Sequence, residues 1–425
     1  MQSEKSQIEA SLAKQSLVAA NNLQYSLKPD LSVCTSRTST AQFFQNSQYS
    51  EGSNMTCILN TGSAYVYGRN SSLVLDVYNP SEASFNFGSG GYGGSAASLI
   101  STISVYTRSG LCVERIQSSH VLSALKMLYE HTAHYSITVG QAAGIDRECG
   151  KKTTTRFVIP MSLISGLFDY DGLLPSSLMS GLRIQIDLNP SVFCLMAVAA
   201  GIPSYTIVAC KIECDCFQLT DSVSRSLNEA SASSGLEVVF NTWFSTPSTR
   251  NAQGGGTLNI ESRRACSRAL MAVYKEVPER SLTGGFTTEP LQSTRINGAY
   301  GPTSVQWRAG SLYFPNTVIT APNAELAAAE NYYMTVKSYG QWDQTGGLTT
   351  CAPQYEQFVA GAHALAVDLE RSDVLELAGI PLSNSRTLCL NAVITSPDGV
   401  TYSTNMFLKH CALIRVFISN ATLEV

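Results

Sequence analysis

The chain has 425 residues, 44% of them hydrophobic, enough to bury large cores in two or three domains. Only 14% are charged, below the roughly 25% of ordinary soluble proteins, and the net charge is −4. Such a surface is suited to being covered by partners, and the absence of any long block of one sign argues against wrapping a nucleic-acid backbone.

In chain order, residues 1–31 read as a polar, Ala/Ser/Gln-rich N-terminal arm with no basic start and apolar core of a secretory signal. Residues 32–221 carry short β-rich segments divided by turn residues: Asn54 to Leu59, Leu73 to Tyr78, Ile103 to Thr107, Cys112 to Ile116, Arg156 to Ile159, Leu182 to Leu188 and Tyr205 to Leu219. A single helix, His120 to Glu130, interrupts them, with Val121, Leu125 and Leu128 at helical spacing. Residues 222–235 are polar and small, the composition of a linker or crossing loop. From 236 to 425 the β pattern resumes at Leu236 to Phe244, Thr257 to Ile260, Arg268 to Tyr274, Tyr332 to Tyr339, His363 to Leu369, Thr387 to Thr395 and Phe407 to Ile418. Two long segments, Gly140 to Thr155 and Glu276 to Pro322, read as loop-rich insertions. The expected architecture is all-β, with two consecutive sandwiches. The longest apolar run, Val192 to Ile202, is far shorter than the roughly 20 residues that span a bilayer, so no transmembrane helix is expected.

Several motifs invite chemistry. Gly88, Gly90 and Gly93 satisfy the dinucleotide spacing with Glu114 downstream, but that site needs a helix directly after the glycines. Ile100-Ser-Thr-Ile-Ser-Val-Tyr-Thr107 is instead β-branched and alternating, so a meander turning at Ser109-Gly110 is expected. Cys210, Cys214 and Cys216 have the density of a thiolate metal cluster, yet with Ile212 they occupy alternate strand positions and so share one core-facing side; Lys211, Glu213 and Asp215 take the other. The twelve cysteines are read as reduced and mostly buried. His131 and His134 would share a helix face with His120 nearby, but no further ligands are evident, and His363 and His410 stand alone. Asp169, Asp171 and Asp187 could serve as paired acids, Arg263, Arg264 and Arg268 could touch phosphate, and Tyr65, Tyr67, Trp243, Trp307 and Trp342 could form a sugar platform. Core or interface packing is the plainer account of the aromatics. Asn54, Asn70 and Asn420 match the glycosylation pattern, which carries little weight without secretion. No nucleophile elbow is present, and no catalytic, cofactor or metal residue is assigned.

Two passages of the first half carry a resemblance. They are Gly94-Ser-Ala-Ala-Ser-Leu-Ile-Ser-Thr-Ile-Ser-Val-Tyr-Thr-Arg-Ser-Gly110 with Val113-Glu-Arg-Ile116, and Phe157-Val-Ile-Pro-Met-Ser-Leu-Ile-Ser-Gly-Leu-Phe168 leading to Leu173-Leu-Pro-Ser-Ser-Leu178 and Gly181-Leu-Arg-Ile-Gln-Ile-Asp-Leu188. In the second half Tyr332 to Gly340 and Phe407 to Ile418 look like later strands of the same family. In order and spacing these segments resemble the double jelly-roll major capsid proteins of double-stranded DNA viruses, most closely those of virophages and Polinton-like viruses. The resemblance spans about residue 40 to the C-terminus. It implies two eight-stranded jelly rolls, a homotrimer forming a pseudo-hexagonal capsomer, and an icosahedral shell around a DNA genome. The implied partners are neighbouring capsomers with penton and minor capsid proteins, and the implied role is structural, in the virion, after assembly in the host cell. A β-sandwich carbohydrate-binding protein or glycosidase is the alternative.

Overall fold

The computed structural model describes residues 33–88, 93–198, 203–251, 254–260, 265–275, 301–338, 354–359, 364–369, 380–382, 387–395, 401–417 and 421–424. The arm, Gly90, Arg263, Arg264, Trp342, His363 and Asn420 lie outside them.

Eight strands build the first half: β1 (Cys34–Phe43), β2 (Asn54–Ile58), β3 (Tyr65–Tyr78), β4 (Ile100–Tyr106), β5 (Cys112–Gln117), β6 (Thr154–Pro160), β7 (Arg183–Leu188) and β8 (Thr206–Leu219). The second half is built from β9 (Leu236–Asn251), β10 (Gly254–Ile260), β11 (Ala265–Lys275), β12 (Gly301–Ala309), β13 (Leu312–Thr320), β14 (Leu365–Asp368), β15 (Leu388–Thr395) and β16 (Thr401–Val416). In the first half the sheets run β1-β8-β3-β6 and β2-β7-β4-β5, with two short strands added at the margins of the former. In the second they run β9-β16-β11-β14 and β10-β15-β12-β13. Adding eight to every strand number of the first half gives the second. Every pairing is antiparallel, and the first and last strands of each half lie side by side, so each half is a jelly roll.

Alternation explains the strands. Ile184, Ile186 and Leu188 of β7 face the core while Arg183, Gln185 and Asp187 do not. On β8, Cys210, Ile212, Cys214 and Cys216 are buried on the expected side. The other side is drier than expected at Asp215, which is enclosed by Arg37 and Asn70. The anticipated meander is the β4–β5 hairpin, in which Thr102 pairs with Gln117 and Gly110 takes the left-handed conformation, φ 89°, that the tight turn needs.

Helix α1 (Ser119–Tyr129) lies between β5 and β6, as the sequence indicates. Three readings change. The polar stretch 222–235 is not loop: helix α2 (Asp221–Ser233) occupies most of it, its exposed polar faces hiding the helix from a hydrophobic pattern. The Glu276 to Pro322 segment is not one long loop, because residues 301–320 form the β12–β13 hairpin; their Gly, Pro and Ser content masks strands that Val305, Trp307 and Ile319 anchor. Tyr332 to Tyr339 is not a strand: its described part belongs to α3 (Ala324–Ser338). The alanine run at its start favours helix over the aromatic β signal, and Asn323 caps it, its Oδ1 accepting from the Leu326 N–H at 3.0 Å. Helix α3 follows β13 as α1 follows β5, so the repetition extends to the helices.

One apolar cluster fills the first half and continues through Val238, Phe240, Trp243, Phe407 and Ile414 into the second. A smaller cluster, around Trp307, Leu365, Leu388 and Leu408, fills the rest of the second half.

Candidate functional site

A set of buried polar contacts lies where the halves meet, along β5 and α1 on one side and β9 and β16 on the other. Glu114 on β5 is 3% exposed. Its carboxylate accepts from the Gly166 N–H at 2.8 Å and from the hydroxyls of Ser165 and, across the seam, Thr242. A buried carboxylate left unpaired would be costly, and three donors remove that cost. Gly166 is required here: a Cβ would stand 2.1 Å from the Asn241 carbonyl oxygen. Next along, the Ser245 hydroxyl accepts from the Gln117 N–H at 2.8 Å, and the Ser118 hydroxyl donates to Asn405 Oδ1 at 2.8 Å. Ser118 holds a positive φ of 52° at the start of α1. Beyond the other end of that helix, Glu130 meets Lys409 at 3.4 Å, and the Lys409 ammonium stands 5.6 Å from the centre of the Trp243 ring. Trp243 is 3% exposed. This arrangement joins the two sandwiches through buried polar groups that satisfy one another, the Ser165 and Thr242 hydroxyls being closed in with the carboxylate they bond.

The glycine motif serves packing. No α-helix opens after Gly93; a four-residue 3-10 turn, Ala96–Leu99, runs directly into β4. A Cβ on Gly93 would lie 2.6 Å from the Ala124 carbonyl oxygen and one on Gly94 2.5 Å from that of Phe87, so both glycines permit close backbone approach, in the first case to α1. Glu114, at the tempting distance downstream, is the seam carboxylate instead.

Cys210, Cys214 and Cys216 face the core, whereas Cys112 on β5 is exposed. Burial pushes the thiols of Cys210 and Cys214 up to about 12, and Cys57, influenced in addition by Cys210, equally so. Such thiols stay protonated and make poor ligands. On the opposite side of β8, Arg37 donates to both oxygens of Asp215, at 2.9 and 2.7 Å, and Asn70 adds a third bond at 2.9 Å. Burial alone would raise this carboxyl; the Arg37 and Asn70 bonds outweigh it and hold the carboxyl below its usual range.

The histidines do not share a helix face. Helix α1 stops at Tyr129, and a separate short helix, Ala133–Ile137, carries an exposed His134. His131 stacks on Tyr135 at 4.0 Å, and its Nε2 has no hydrogen-bond partner; neither has Nδ1 of His120. Burial depresses both imidazoles to about 4, aided at His131 by Lys126. His410 is fully buried on β16. The acids are not brought together as a pair of catalytic carboxylates. Asp169 and Asp171 share Arg69, at 3.3 and 2.7 Å, whereas Asp187 accepts from Asn54 on the other sheet. Tyr65, Trp243 and Trp307 are buried and form no open platform; Tyr67 is half-buried. Arg268 sits on β11 opposite Lys409. Among the described residues no group of three His, Cys, Asp or Glu side chains could hold a metal ion, and no helix is long and apolar enough to cross a membrane.

Both halves, in this order, match known structures as one unit. The chain has the double jelly-roll fold of viral major capsid proteins. VP54 of PBCV-1, fitted into a cryo-EM reconstruction of the virophage Sputnik, is similar at a TM-score of 0.63 and 11% identity over 94% of this chain and 99% of that one. The Faustovirus major capsid protein matches at 0.63 and 8% identity, over 92% of each chain. That of mavirus matches at 0.51 and 10% identity, over 94% and 92%. No family model and no curated protein matches the sequence.

Proposed function

We propose that this chain is a major capsid protein that assembles as a homotrimeric, pseudo-hexagonal capsomer and tiles an icosahedral shell around a viral DNA genome. The observation that carries the reading is the repetition of one sandwich twice, strand for strand, in a chain matched over nine-tenths of its length by proteins named as capsid components. Three copies of a two-sandwich chain supply six similar blocks, the number a hexagonal tile needs. A chain with only 14% charged residues suits large, permanent protein contacts.

In this reading residues 32–221 and 236–425 are the two structural domains, α2 is the rigid crossing between them, and the 1–31 arm ties neighbours together or faces the interior. The role is structural, in the virion after assembly in the host cell, with neighbouring capsomers, penton and minor capsid proteins as partners. Assignment to the virophage or Polinton-like type rests on the sequence passages around Gly94 and Phe157.

The deciding experiment is the solution mass of the purified chain, followed by electron microscopy. A stable trimer, or shells, is expected. A monomer that forms no shells under any assembly condition and binds an oligosaccharide would overturn the proposal in favour of a carbohydrate-binding sandwich.

A further inference from the structure

Beside the hydrogen bonds of the seam lies a groove that they do not fill. It encloses about 350 Å³ and takes its lining from both halves: Val113 and Arg115 of β5 on one side, Trp243, Phe244 and Thr246 of β9 on the other, with Leu423 of a short final strand, Ala421–Glu424. That is the size of a small-molecule pocket, roughly 300–1,000 Å³, and too little for a folded partner. Val113 and Trp243 are buried, and Phe244 and Leu423 pack against the two apolar clusters, so most of the lining is hydrocarbon.

Two polar groups in the groove lack partners. The Thr246 hydroxyl is shut off from bulk water and makes no hydrogen bond. A buried hydroxyl left unmet is costly to the fold, and a ligand that supplies the missing bond removes that cost. Arg115 is exposed, and among the described residues its guanidinium has neither an ion pair nor a hydrogen bond. Glu114 beside it does not neutralise it. Successive side chains leave a strand on opposite faces, and the Glu114 oxygens are already held by Gly166, Ser165 and Thr242. The two unpartnered groups are spaced along the groove. Strands β5 and β9 run the same way here, since Glu114 bonds Thr242 and Gln117 bonds Ser245, three residues further along each. Arg115 and Thr246 are therefore separated by three strand steps, roughly 10 Å.

We propose that the seam groove binds a small apolar carboxylic acid of the medium-chain fatty-acid class. Its carboxylate sits on the Arg115 guanidinium, its chain runs along Trp243, Phe244 and Leu423, and a polar atom at its far end meets the Thr246 hydroxyl. Because the lining comes from both halves, the acid binds only where the seam is closed, and its binding favours the closed seam by mass action. The site lies within one chain and stands apart from the capsid reading.

The test uses the full chain, with octanoate and 8-hydroxyoctanoate as probes. Cys112, whose exposed thiol also lines the groove, reports occupancy: its alkylation by iodoacetamide, followed by peptide mass spectrometry, is expected to slow as either acid is added. Acetate, which has the charge without the chain, and octanol, which has the chain without the charge, are expected to give little protection at the same concentrations. Arg115→Gln, a change at an exposed position, is expected to weaken octanoate by about tenfold, and Arg115→Lys to restore part of that loss. The parent chain is expected to bind 8-hydroxyoctanoate more tightly than octanoate, an advantage that Thr246→Val removes. As a second measurement, 8-hydroxyoctanoate is expected to raise the melting temperature of the parent and to raise that of Arg115→Gln less. Protection by octanol equal to that by octanoate, or protection unchanged in Arg115→Gln, overturns the proposal, as does equal affinity of the parent for the two acids. Absence of protection by either acid at millimolar concentration overturns it as well, and none of these outcomes touches the capsid reading.

Discussion

The two halves share one strand plan but differ in what supports them. The first is filled by a large continuous cluster; part of the second borrows that cluster across the seam, and the remainder has a smaller one of its own. Among the described residues the same edge is buried in one half and open in the other. Identical topology thus yields different solvent exposure, because a repeat inside a chain has one internal neighbour and one external neighbour.

The strongest challenge to this contrast is Trp243→Ala. If the second half leans on the first through that ring, truncation should lower unfolding free energy by about 4 kcal/mol, read by urea titration. A loss below about 1 kcal/mol would show that the halves are joined only loosely. Acid should act on the first half next. His120 in the first turn of α1 and His131 just past its end have folded values of about 4, below the 6.5 of an unfolded histidine. The unfolded chain therefore binds protons first as pH falls, and the stability conferred by keeping these rings neutral is whole above 6.5 and lost progressively from there down to 4. Between pH 7 and 5 each should cost on the order of 2 kcal/mol. His131→Phe should flatten the curve, and an unchanged slope would remove His131 from the account. The smallest effect is expected from Glu114→Gln, which keeps one acceptor for its three donors. A loss of about 1–2 kcal/mol in the same titration is anticipated; no change would mean the carboxylate is incidental to the seam.

Much of the first sandwich was legible because its strands bury one face only. The alternation at Cys210 to Cys216 and at Leu182 to Leu188 is what a half-buried sheet demands, and both segments lie on strands with the anticipated residues turned to the core. Strand β1 was missed because no residue of Cys34–Phe43 is buried, leaving no apolar period to detect. The α3 helix was misread because three tyrosine and methionine positions outweighed the alanines that decide its backbone. The seam itself was invisible. Its signal was a single irregularity, Glu114 beside Val113 on β5, where two adjacent residues are both buried; only a second body packed on that strand accounts for it.

In each half the closing strand is the last one. Arg37 reaches Asp215 over 178 residues of chain, and Glu237 reaches Arg415 over the same 178. Contacts so distant in sequence make folding slow. During synthesis the first sandwich can be complete at Leu219 while the strands that will cover its β5 edge are still being made. For that interval a nascent chain offers an open edge to the finished second sandwich of any neighbour. The ribosome's pace, and the spacing of chains along a message, therefore bear on whether the first seam a molecule makes is with itself or with another.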